Sequence, residues 1–403
     1  MLRPAIIGGP SAFTERLPIA RPYTPPLDDV VARLEPSYKR GMLTNSDLVR
    51  EFEDACADRL GVEHAVAVSS CTAGLMLTLR ALLAVSGPAP AVGTRPPVVL
   101  PSFTFSASAH AVAWNGASPR FAECDSASFQ LDTTDAASRV EGAGAVLATH
   151  VFGAPCDAEE VERVAAEAGV PAIFDAAHGF GARRAGRPVG SFGDAEVFSL
   201  SPTKVVIGGE GGVVATDRED LAAAVRLGRD YGNPGDYDTR FVGLNARMSE
   251  LHAAVALASL ALLDEHLALR QEVAERYRQA LADVPGVRTQ VIAAGDVSTY
   301  KDFTIAVDEA VFGVPRDAVV RALSLDGIDT RCYFSPPVHR QQAYAGVGDT
   351  AAGELLAVTD LVSRQVVSLP MFATIGRETA DRVADVLRRL HHHAEEVTAT
   401  WTA

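Results

Sequence analysis

Lysine is scarce in this chain of 403 residues. Only Lys39, Lys204 and Lys301 occur, so arginine supplies the rest of the 36 basic side chains. Arginine can replace lysine where a positive charge is enough, but it cannot form a Schiff base with a carbonyl group. Lys204 stands between a hydroxyl-rich turn and a glycine-rich turn, in the run from Phe198 to Gly212. A lysine at this place in such a chain indicates that its amine is used chemically.

Other absences narrow the range of functions. The net charge of -15 argues against nucleic acid or an anionic membrane as the main partner. The five cysteines lack C-x-x-C spacing, and neither Cys nor His provides any other metal-ligand spacing, so we expect a reduced, cytoplasmic protein without a metal site. The consecutive residues His391–His393 diverge around a helix and are interpreted as a solvated helix end. No apolar run approaches the roughly 18 residues of a membrane helix, and the N-terminal run is too short for a signal peptide.

The order of elements in the first 250 residues indicates an α/β domain. Helices are predicted over 27–60, with polar residues at 44–46, and after Ser70 as far as Gly87-Pro88. Short apolar strands then alternate with helices up to about residue 216. This alternation predicts a largely parallel sheet covered by helices on both faces.

The remainder of the chain has a different pattern, and its length favours two domains. One long helix or two are predicted from Met248 to about Ala282. Beyond Pro285, strands near 299–306 and 329–334 and helices near 315–325 and 377–393 predict a smaller α+β domain. We therefore divide the chain into a large domain over 1–250 and a linking helix with a small C-terminal domain over 251–403.

Four chemically distinctive segments follow predicted strands of the large domain. They are Ser70–Ala73, Phe103–Phe105, Asp175–His178 and Ser199–Lys204. Ligands of open parallel sheets bind beyond the carboxyl ends of the strands, so these segments are expected to converge on one site.

Lys204 and Asp175 carry the main chemical hypothesis. Lys204 either forms an imine with an aldehyde cofactor, of which pyridoxal phosphate is the common case, or is a surface lysine in a turn. Asp175 ends an apolar strand, where an ionised carboxylate needs a cationic partner such as a pyridinium N–H; the alternative is a helix N-cap. The glycines at 208–212 lack the dinucleotide fingerprint and are interpreted as a tight turn that lets the lysine reach the site.

The other three segments supply candidate cofactor contacts. Free N–H groups at the helix start in Ser70–Ala73 favour a phosphate, although many ordinary helix starts look alike. Ser199 could add a hydroxyl to the same phosphate. Phe105 either stacks on a planar ring or belongs to the core, and His178 either bonds a ring hydroxyl or is structural.

Taken together, these segments resemble the DegT/DnrJ/EryC1/StrS family of sugar aminotransferases, which are fold-type I pyridoxal-phosphate enzymes. The resemblance spans nearly the whole chain. It is carried by Glu51–Glu53 with Leu60–Val62, Ser70–Leu75, Pro101–Ala109, His150–Gly153 with Asp157, Asp175–Ala182, Phe198–Gly212, Gly243–Glu250 and Ser368–Phe372. The resemblance implies an α/β fold with a mainly parallel central sheet flanked by helices, plus a smaller C-terminal α+β domain.

The resemblance also implies roles for individual residues. It makes Lys204 and Asp175 catalytic, as the Schiff-base lysine and the partner of the pyridine nitrogen. The other cofactor-binding residues that it implies are Thr72, Ala73 and Ser199 at the phosphate, Phe105 on the ring, His178 near the ring oxygen, where the family often has glutamine, and Asn245 from the neighbouring subunit. An obligate homodimer with two shared sites is therefore expected. Cys71 departs from the family, which usually has glycine there.

The expected reaction is a ping-pong transamination. L-Glutamate or L-glutamine would donate the amino group to C4 of a nucleotide-linked keto-deoxysugar, dTDP-4-keto-6-deoxyglucose, in deoxyaminosugar and antibiotic biosynthesis. The alternatives are a C3 aminotransferase of a 3-keto sugar nucleotide, a keto-cyclitol aminotransferase and a non-catalytic cofactor-binding regulator. A few relatives that lack the lysine are sugar dehydratases, and Lys204 argues against that branch. The stretches 41–45, 229–237 and 331–339 are expected to contact the sugar.

Overall fold

A seven-stranded sheet forms the centre of the N-terminal part of the chain. The structure is a computed structural model that describes residues 1–83, 95–240, 242–347 and 356–402. The strands of the described residues, in chain order, are β1 (His64–Val68), β2 (Arg95–Pro101), β3 (Ala117–Ala122), β4 (Ala145–Thr149), β5 (Ala172–Asp175), β6 (Arg183–Arg184), β7 (Arg187–Pro188), β8 (Ala195–Ser199), β9 (Gly212–Thr216), β10 (Val287–Thr289), β11 (Phe303–Val307) and β12 (Val366–Leu369). The large sheet has the order β1-β9-β8-β5-β4-β2-β3, and only β9 runs antiparallel to its neighbours. The prediction of a mainly parallel sheet is confirmed.

Helices cover both faces of this sheet. The α-helices of the described residues are α1 (Leu27–Lys39), α2 (Asp47–Leu60), α3 (Cys71–Leu82), α4 (Ser106–Trp114), α5 (Thr133–Arg139), α6 (Ala158–Ala168), α7 (Glu219–Gly228), α8 (Glu250–Leu260), α9 (Leu263–Leu281), α10 (Glu309–Phe312), α11 (Arg316–Leu325), α12 (Ala357–Gln365), α13 (Arg377–His392) and α14 (Ala394–Thr402). Successive residues of a strand point to opposite faces. In β4, Val146 and Ala148 pack with α2, α6 and α8, whereas Ala145 and Leu147 pack with α3 and α4.

The predicted helical stretch 27–60 divides into α1 and α2 at its polar residues. Glu250, at the start of α8, is fully buried and accepts the backbone N–H groups of Ser46, Leu48 and Val49 at 2.8–3.1 Å. These bonds satisfy free donors at the beginning of α2, because the first N–H groups of a helix have no partner within it. The predicted end of α3 at Gly87-Pro88 lies outside the described residues.

A three-stranded antiparallel sheet, β10-β11-β12, forms the second core with α9, α11 and α13. The prediction of a strand near 329–334 is wrong. The segment forms no strand, and Arg331 makes only an isolated bridge to Ser368. This segment runs into Pro336 and Pro337, which have no N–H to donate to a ladder. The position beside β11 is taken by β12, which sequence analysis missed.

The division of the chain at residue 250 remains a prediction. Phe13 is buried in the second core, and Leu17 packs against it, so the N-terminal segment contacts the C-terminal elements.

Within the described residues, no single helix is long and apolar enough to cross a membrane. The pair α8 and α9 reaches that length and composition only together, with a bend of 58° between the two helices.

Candidate active site

A cavity of about 330 Å³ lies where strand ends of the large sheet meet the beginning of α3 and the second core. Its lining includes six of the eight predicted cofactor-binding residues, namely Thr72, Phe105, Asp175, His178, Ser199 and Lys204. Ala73 and Asn245 do not line it. The four segments that were expected to converge therefore do so, as the topology of a parallel sheet requires.

Lys204 is partly buried in the loop between β8 and β9. Its backbone N–H donates to the Ser201 carbonyl at 3.0 Å, which closes a turn. Burial, and next the charge of Lys301, lower the pKa of Lys204 to about 8. No ion pair to Lys204 is found among the described residues. The side chain is therefore a cavity amine with a substantial neutral fraction near pH 8, and not the exposed surface lysine of the alternative hypothesis.

The glycines after Lys204 return the chain to the sheet. Gly211 has a φ of +140°, and the carbonyl of this residue accepts the Leu200 N–H at 3.0 Å. A Cβ on Gly212 would lie 2.6 Å from the backbone nitrogen of Cys71. Glycine is thus required for β9 to pass directly beside the first turn of α3. The predicted tight turn is present.

Asp175, at the end of β5, is 3% exposed and has donors on both oxygens. Ser108 Oγ donates to Oδ2 at 2.7 Å, the Ala177 N–H donates to Oδ1 at 3.1 Å, and the Cys71 thiol lies 3.8 Å from Oδ1. No helix begins after Asp175, which excludes the N-cap alternative. An ionised carboxyl group has about four lone-pair positions, so these contacts orient it and leave acceptor capacity toward the cavity.

His178 lines the cavity with a nitrogen that lacks a partner. Its Nδ1 atom is buried and has no hydrogen-bond partner in the described part of the chain. Burial, and then the charges of Lys204 and Lys301, hold the pKa of His178 well below its usual range. The imidazole is therefore neutral, and Nδ1 is available as a donor or acceptor to a ligand.

Phe105 is 60% exposed at the start of α4, so it is not part of the core. Its position on the cavity wall is compatible with stacking on a planar ring.

The beginning of α3 forms another part of the wall. Ser70 Oγ accepts the Ala73 N–H at 3.1 Å as the N-cap, so a phosphate contact through Ala73 must share this donor. Thr72 lines the cavity beside it. Ser199 Oγ lies 3.4 Å from both the hydroxyl and the backbone N–H of Ser201, and this turn also faces the cavity. Hydroxyl and N–H donors are thus gathered at this end of the cavity, as an anionic phosphate requires.

Asn245 is exposed and lies outside the cavity of its own chain. It pairs with Asp230 in an isolated antiparallel bridge.

Lys301 and Asp302, which immediately precede β11, complete the cavity together with Tyr333 and Phe334. Lys301 and Asp302 were not predicted as site residues. The segment 331–339 was expected to contact the sugar, and Tyr333 and Phe334 belong to it. The other two stretches, 41–45 and 229–237, contribute no residue to the described lining. The scarcity of lysine, which drew attention to Lys204, applied equally to Lys301.

The residues of this cavity fit pyridoxal phosphate. The Lys204 amine, whose pKa is lowered to about 8, matches the aldehyde. The remaining acceptor capacity of Asp175 matches the ring N–H, and the Nδ1 atom of His178, which lacks a partner among the described residues, matches the ring oxygen. The N–H and hydroxyl donors near Thr72 and Ser199 match a phosphate.

Comparison with known proteins agrees with this geometry. Residues 28–388 match the model of the DegT/DnrJ/EryC1/StrS aminotransferase family. The chain is 33% identical over 341 residues to GDP-perosamine synthase of Caulobacter vibrioides, covering 84% of this chain and 88% of that protein. It is 37% identical to DesI, whose crystal structure was analysed in the presence of its TDP-sugar product; the TM-score is 0.90, with 99% of each chain covered.

A second solved structure, DesV of S. venezuelae in complex with a ketimine intermediate, is 30% identical with a TM-score of 0.81, covering 94% of this chain and 99% of that one. The chain therefore belongs to the DegT/DnrJ/EryC1/StrS aminotransferase family and is a pyridoxal-phosphate-dependent aminotransferase with the fold-type I architecture.

Proposed function

We propose that this enzyme transfers an amino group from L-glutamate or L-glutamine to C4 of a nucleotide-linked keto-deoxysugar, with dTDP-4-keto-6-deoxyglucose as the leading candidate, in deoxyaminosugar biosynthesis. The observation that carries the proposal is a single cavity in which a cofactor-competent amine, Lys204, faces the buried carboxylate of Asp175. The likeness to DesI, a protein with a TDP-sugar product, over 99% of both chains supports a nucleotide sugar as the substrate.

Lys204 is proposed to carry the proton of the reaction. Pyridoxal phosphate, when bound, supplies an aldehyde that accepts the amino group and a ring that takes up electron density from the reacting carbon. The Lys204 amine, with a pKa of about 8, accepts a proton at Nζ from the α-carbon of the amino donor. The resulting ammonium would give that proton to the aldehyde carbon of the bound cofactor, and in the second half-reaction Lys204 would take a proton from the same carbon and give it to the reacting carbon of the sugar. A pKa close to the working pH suits both directions of this transfer.

Asp175 is proposed to hold the ring nitrogen in its protonated form. Its carboxylate is fixed by the Ser108 hydroxyl and the Ala177 N–H, so it needs little reorganisation when charge develops on the ring. The Cys71 sulfur lies 3.8 Å from Oδ1 and fills the space beside the carboxylate. Its thiol is inert as an acid, because burial, and then the charge of Asp175, raise the pKa of Cys71 well above its usual range.

The other predicted residues are proposed to orient the cofactor. His178 would contact the ring oxygen through its Nδ1 atom, and Phe105 would cover one face of the ring, since both line the cavity. Thr72, Ala73 and Ser199 bind the phosphate.

We further propose a homodimer in which Asn245 reaches the partner's phosphate. Asn245 is exposed, and the large apolar side chains of Tyr231, Tyr237 and Val242 near it in sequence are also exposed, as expected of a face that a second copy covers.

Product analysis tests the substrate assignment. The purified enzyme would be supplied with pyridoxal phosphate, amino-labelled L-glutamate or L-glutamine, and a panel of 4-keto and 3-keto sugar nucleotides and a keto-cyclitol. We expect the label in the product of the dTDP-linked 4-keto-6-deoxysugar, at C4 by NMR. Label at C3, or only in the cyclitol, would replace this substrate with one of the alternatives. Conversion of sugar without label would indicate a dehydratase.

A further inference from the structure

The cavity contains a second buried lysine, and that lysine forms an ion pair. Lys301 Nζ lies 2.8 Å from Asp302 Oδ1, and the two side chains are only 6% and 5% exposed. Both residues line the cavity. The other carboxylate oxygen, Asp302 Oδ2, is buried and has no hydrogen-bond partner among the residues that the structure describes. Because a buried charged oxygen without a donor is costly, this atom indicates a ligand that donates a hydrogen bond.

The surroundings of the pair do not supply that donor. Arg270, behind the pair, donates to the Tyr300 carbonyl at 2.8 Å, and the charge of Asp302 partly opposes the lowering of the pKa of Arg270 by burial. Arg270 thus supports the negative charge of Asp302 without a hydrogen bond to Oδ2. On the other side, Lys301 Nζ lies 5.6 Å from the centroid of the Tyr333 ring. An ammonium group has three N–H donors, and Asp302 takes one of them.

The pair is also fixed relative to the catalytic wall. The Thr299 hydroxyl donates to the His178 carbonyl at 2.6 Å, and the Thr299 N–H donates to the Gly153 carbonyl at 2.9 Å. A Cβ on Gly153 would lie 2.0 Å from the Thr299 hydroxyl, so glycine permits this close approach. The segment that carries the pair, just before β11, is therefore held against the segment that carries His178, and Lys301 is near enough for its charge to lower the pKa of Lys204.

The chemistry of the pair selects one kind of group. It presents an acceptor, Asp302 Oδ2, and a donor, the Lys301 ammonium, to the cavity. A hydroxyl group both donates and accepts, so it satisfies the two together. A carboxylate of the substrate would leave Oδ2 unsatisfied and be repelled by it. We propose that Lys301 and Asp302 form a specificity subsite that binds the hydroxyl group next to the ketone of the carbonyl substrate. This inference rests on the proposed function.

A pair of substrates tests the subsite without any variant. One is the keto-sugar nucleotide that the enzyme aminates, and the other is its analogue with hydrogen in place of the hydroxyl next to the ketone. We expect the wild type to prefer the hydroxylated substrate by about 10²-fold in kcat/KM, because the analogue leaves buried charged groups unpaired. Equal use of the two substrates would overturn the inference.

Asp302→Asn then locates the preference. The amide keeps the shape of the carboxylate but replaces one acceptor oxygen with a donor, so the preference for the hydroxylated substrate should fall to within about 10-fold. Calorimetry should show weaker binding of the amino-sugar nucleotide product. The amino-donor half-reaction, followed by the cofactor absorbance, should change much less, and only through the effect of the Asp302 charge on the pKa of Lys204. Asp317→Asn, at a carboxylate that is 70% exposed on α11, is the matched control and should behave as the wild type.

Three results would overturn the subsite, and they differ from one another. If Asp302→Asn kept the preference for the hydroxylated substrate, another residue would have to bind the hydroxyl group. A slower donor half-reaction with unchanged sugar selectivity would assign the pair to the amino donor. Absence of turnover with every sugar nucleotide, despite a normal donor half-reaction, would overturn the proposed function as well.

Discussion

The two walls of the cavity each contain a lysine and an aspartate, but the two residues form an ion pair on only one of the walls. On the wall formed by the large sheet, Lys204 has no ion pair among the described residues and a pKa lowered to about 8. On the wall formed by the second core, the ammonium of Lys301 is paired with Asp302. Lysine identity alone therefore does not define the reactive amine, since the local partner decides between a nucleophile or base and a fixed cation.

The two aspartates differ in the same way. Asp175 has hydrogen-bond donors on both oxygens, whereas Asp302 has an unpartnered oxygen. The first arrangement suits a charge that must stay in one place while a ring is held against it. The second suits recognition of a group that enters and leaves. The comparison assigns chemistry to one wall and substrate selection to the other.

Replacing each of the two lysines separately is the strongest test of the contrast between the two walls. Lys204→Ala should abolish turnover, because the other amine of the cavity, Lys301, is held in an ion pair with Asp302, and borohydride trapping of the cofactor on the protein should disappear. Lys301→Met should retain the trapped label on Lys204 while weakening use of the sugar substrate. Peptide mapping by mass spectrometry gives the position of the label, and Lys39→Arg at an exposed lysine is the control.

A label at position 301 in either the wild type or Lys204→Ala would reverse the two roles. Normal turnover in Lys204→Ala would exclude this lysine from the chemistry altogether.

The aspartates provide a smaller contrast. Asp175→Ala should slow both half-reactions by about 10³-fold or more, because the ring charge loses its preorganised partner, while cofactor binding remains measurable. Ser108→Ala, which removes one donor to Asp175, should cost about 10-fold in the same steps. Asp302→Asn should slow the sugar half-reaction much more than the donor half-reaction, which the Asp302 charge influences only through the pKa of Lys204. Stopped-flow absorbance measures each half-reaction separately.

A near-normal rate in Asp175→Ala would reject its assignment to the ring nitrogen. Equal slowing of the donor and sugar half-reactions by Asp302→Asn would show that the two walls are not divided in the way proposed.

The difference between the walls also explains what could be predicted from the sequence. Asp175 and Lys204 follow buried parallel strands, and the carboxyl ends of such strands meet at one edge, so their convergence was predictable. Lys301 and Asp302 immediately precede β11 of an antiparallel sheet, where no comparable rule places a residue at a site. Their position depends on docking of Thr299 against Gly153, a contact between residues far apart in the chain.

The elements of the second core show the same limit. The strand predicted near 329–334 is absent, and β12 lies beside β11 instead. The stretch 329–334 is mixed in polarity and β12 has only four residues, so periodicity could not distinguish between them. The exposure of Phe105 could not be predicted either, because an aromatic residue near a strand end is compatible with either the core or a cavity wall.

The smallest expected effect concerns the acidity of Lys204. Amine-selective modification of the apoenzyme at a series of pH values, read by mass spectrometry, should give a midpoint near pH 8, since only the neutral amine reacts. Burial is the largest cause of the lowered pKa, and the charge of Lys301 is the next. Lys301→Met should therefore raise the midpoint toward the ordinary lysine value without reaching it. Lys39 in the same digest serves as an internal reference.

A double variant, Lys301→Met with Asp302→Asn, tests whether the two charges shift the pKa of Lys204 in opposite directions. Lys301 lowers the pKa of Lys204, while Asp302 raises it, so removal of both charges should raise the midpoint less than removal of Lys301 alone. If the midpoint stayed at its wild-type value in the single variant, the two lysines would be electrostatically independent. The two walls would then share a cavity without influencing one another, and the choice of Lys204 as the reactive amine would depend on burial alone.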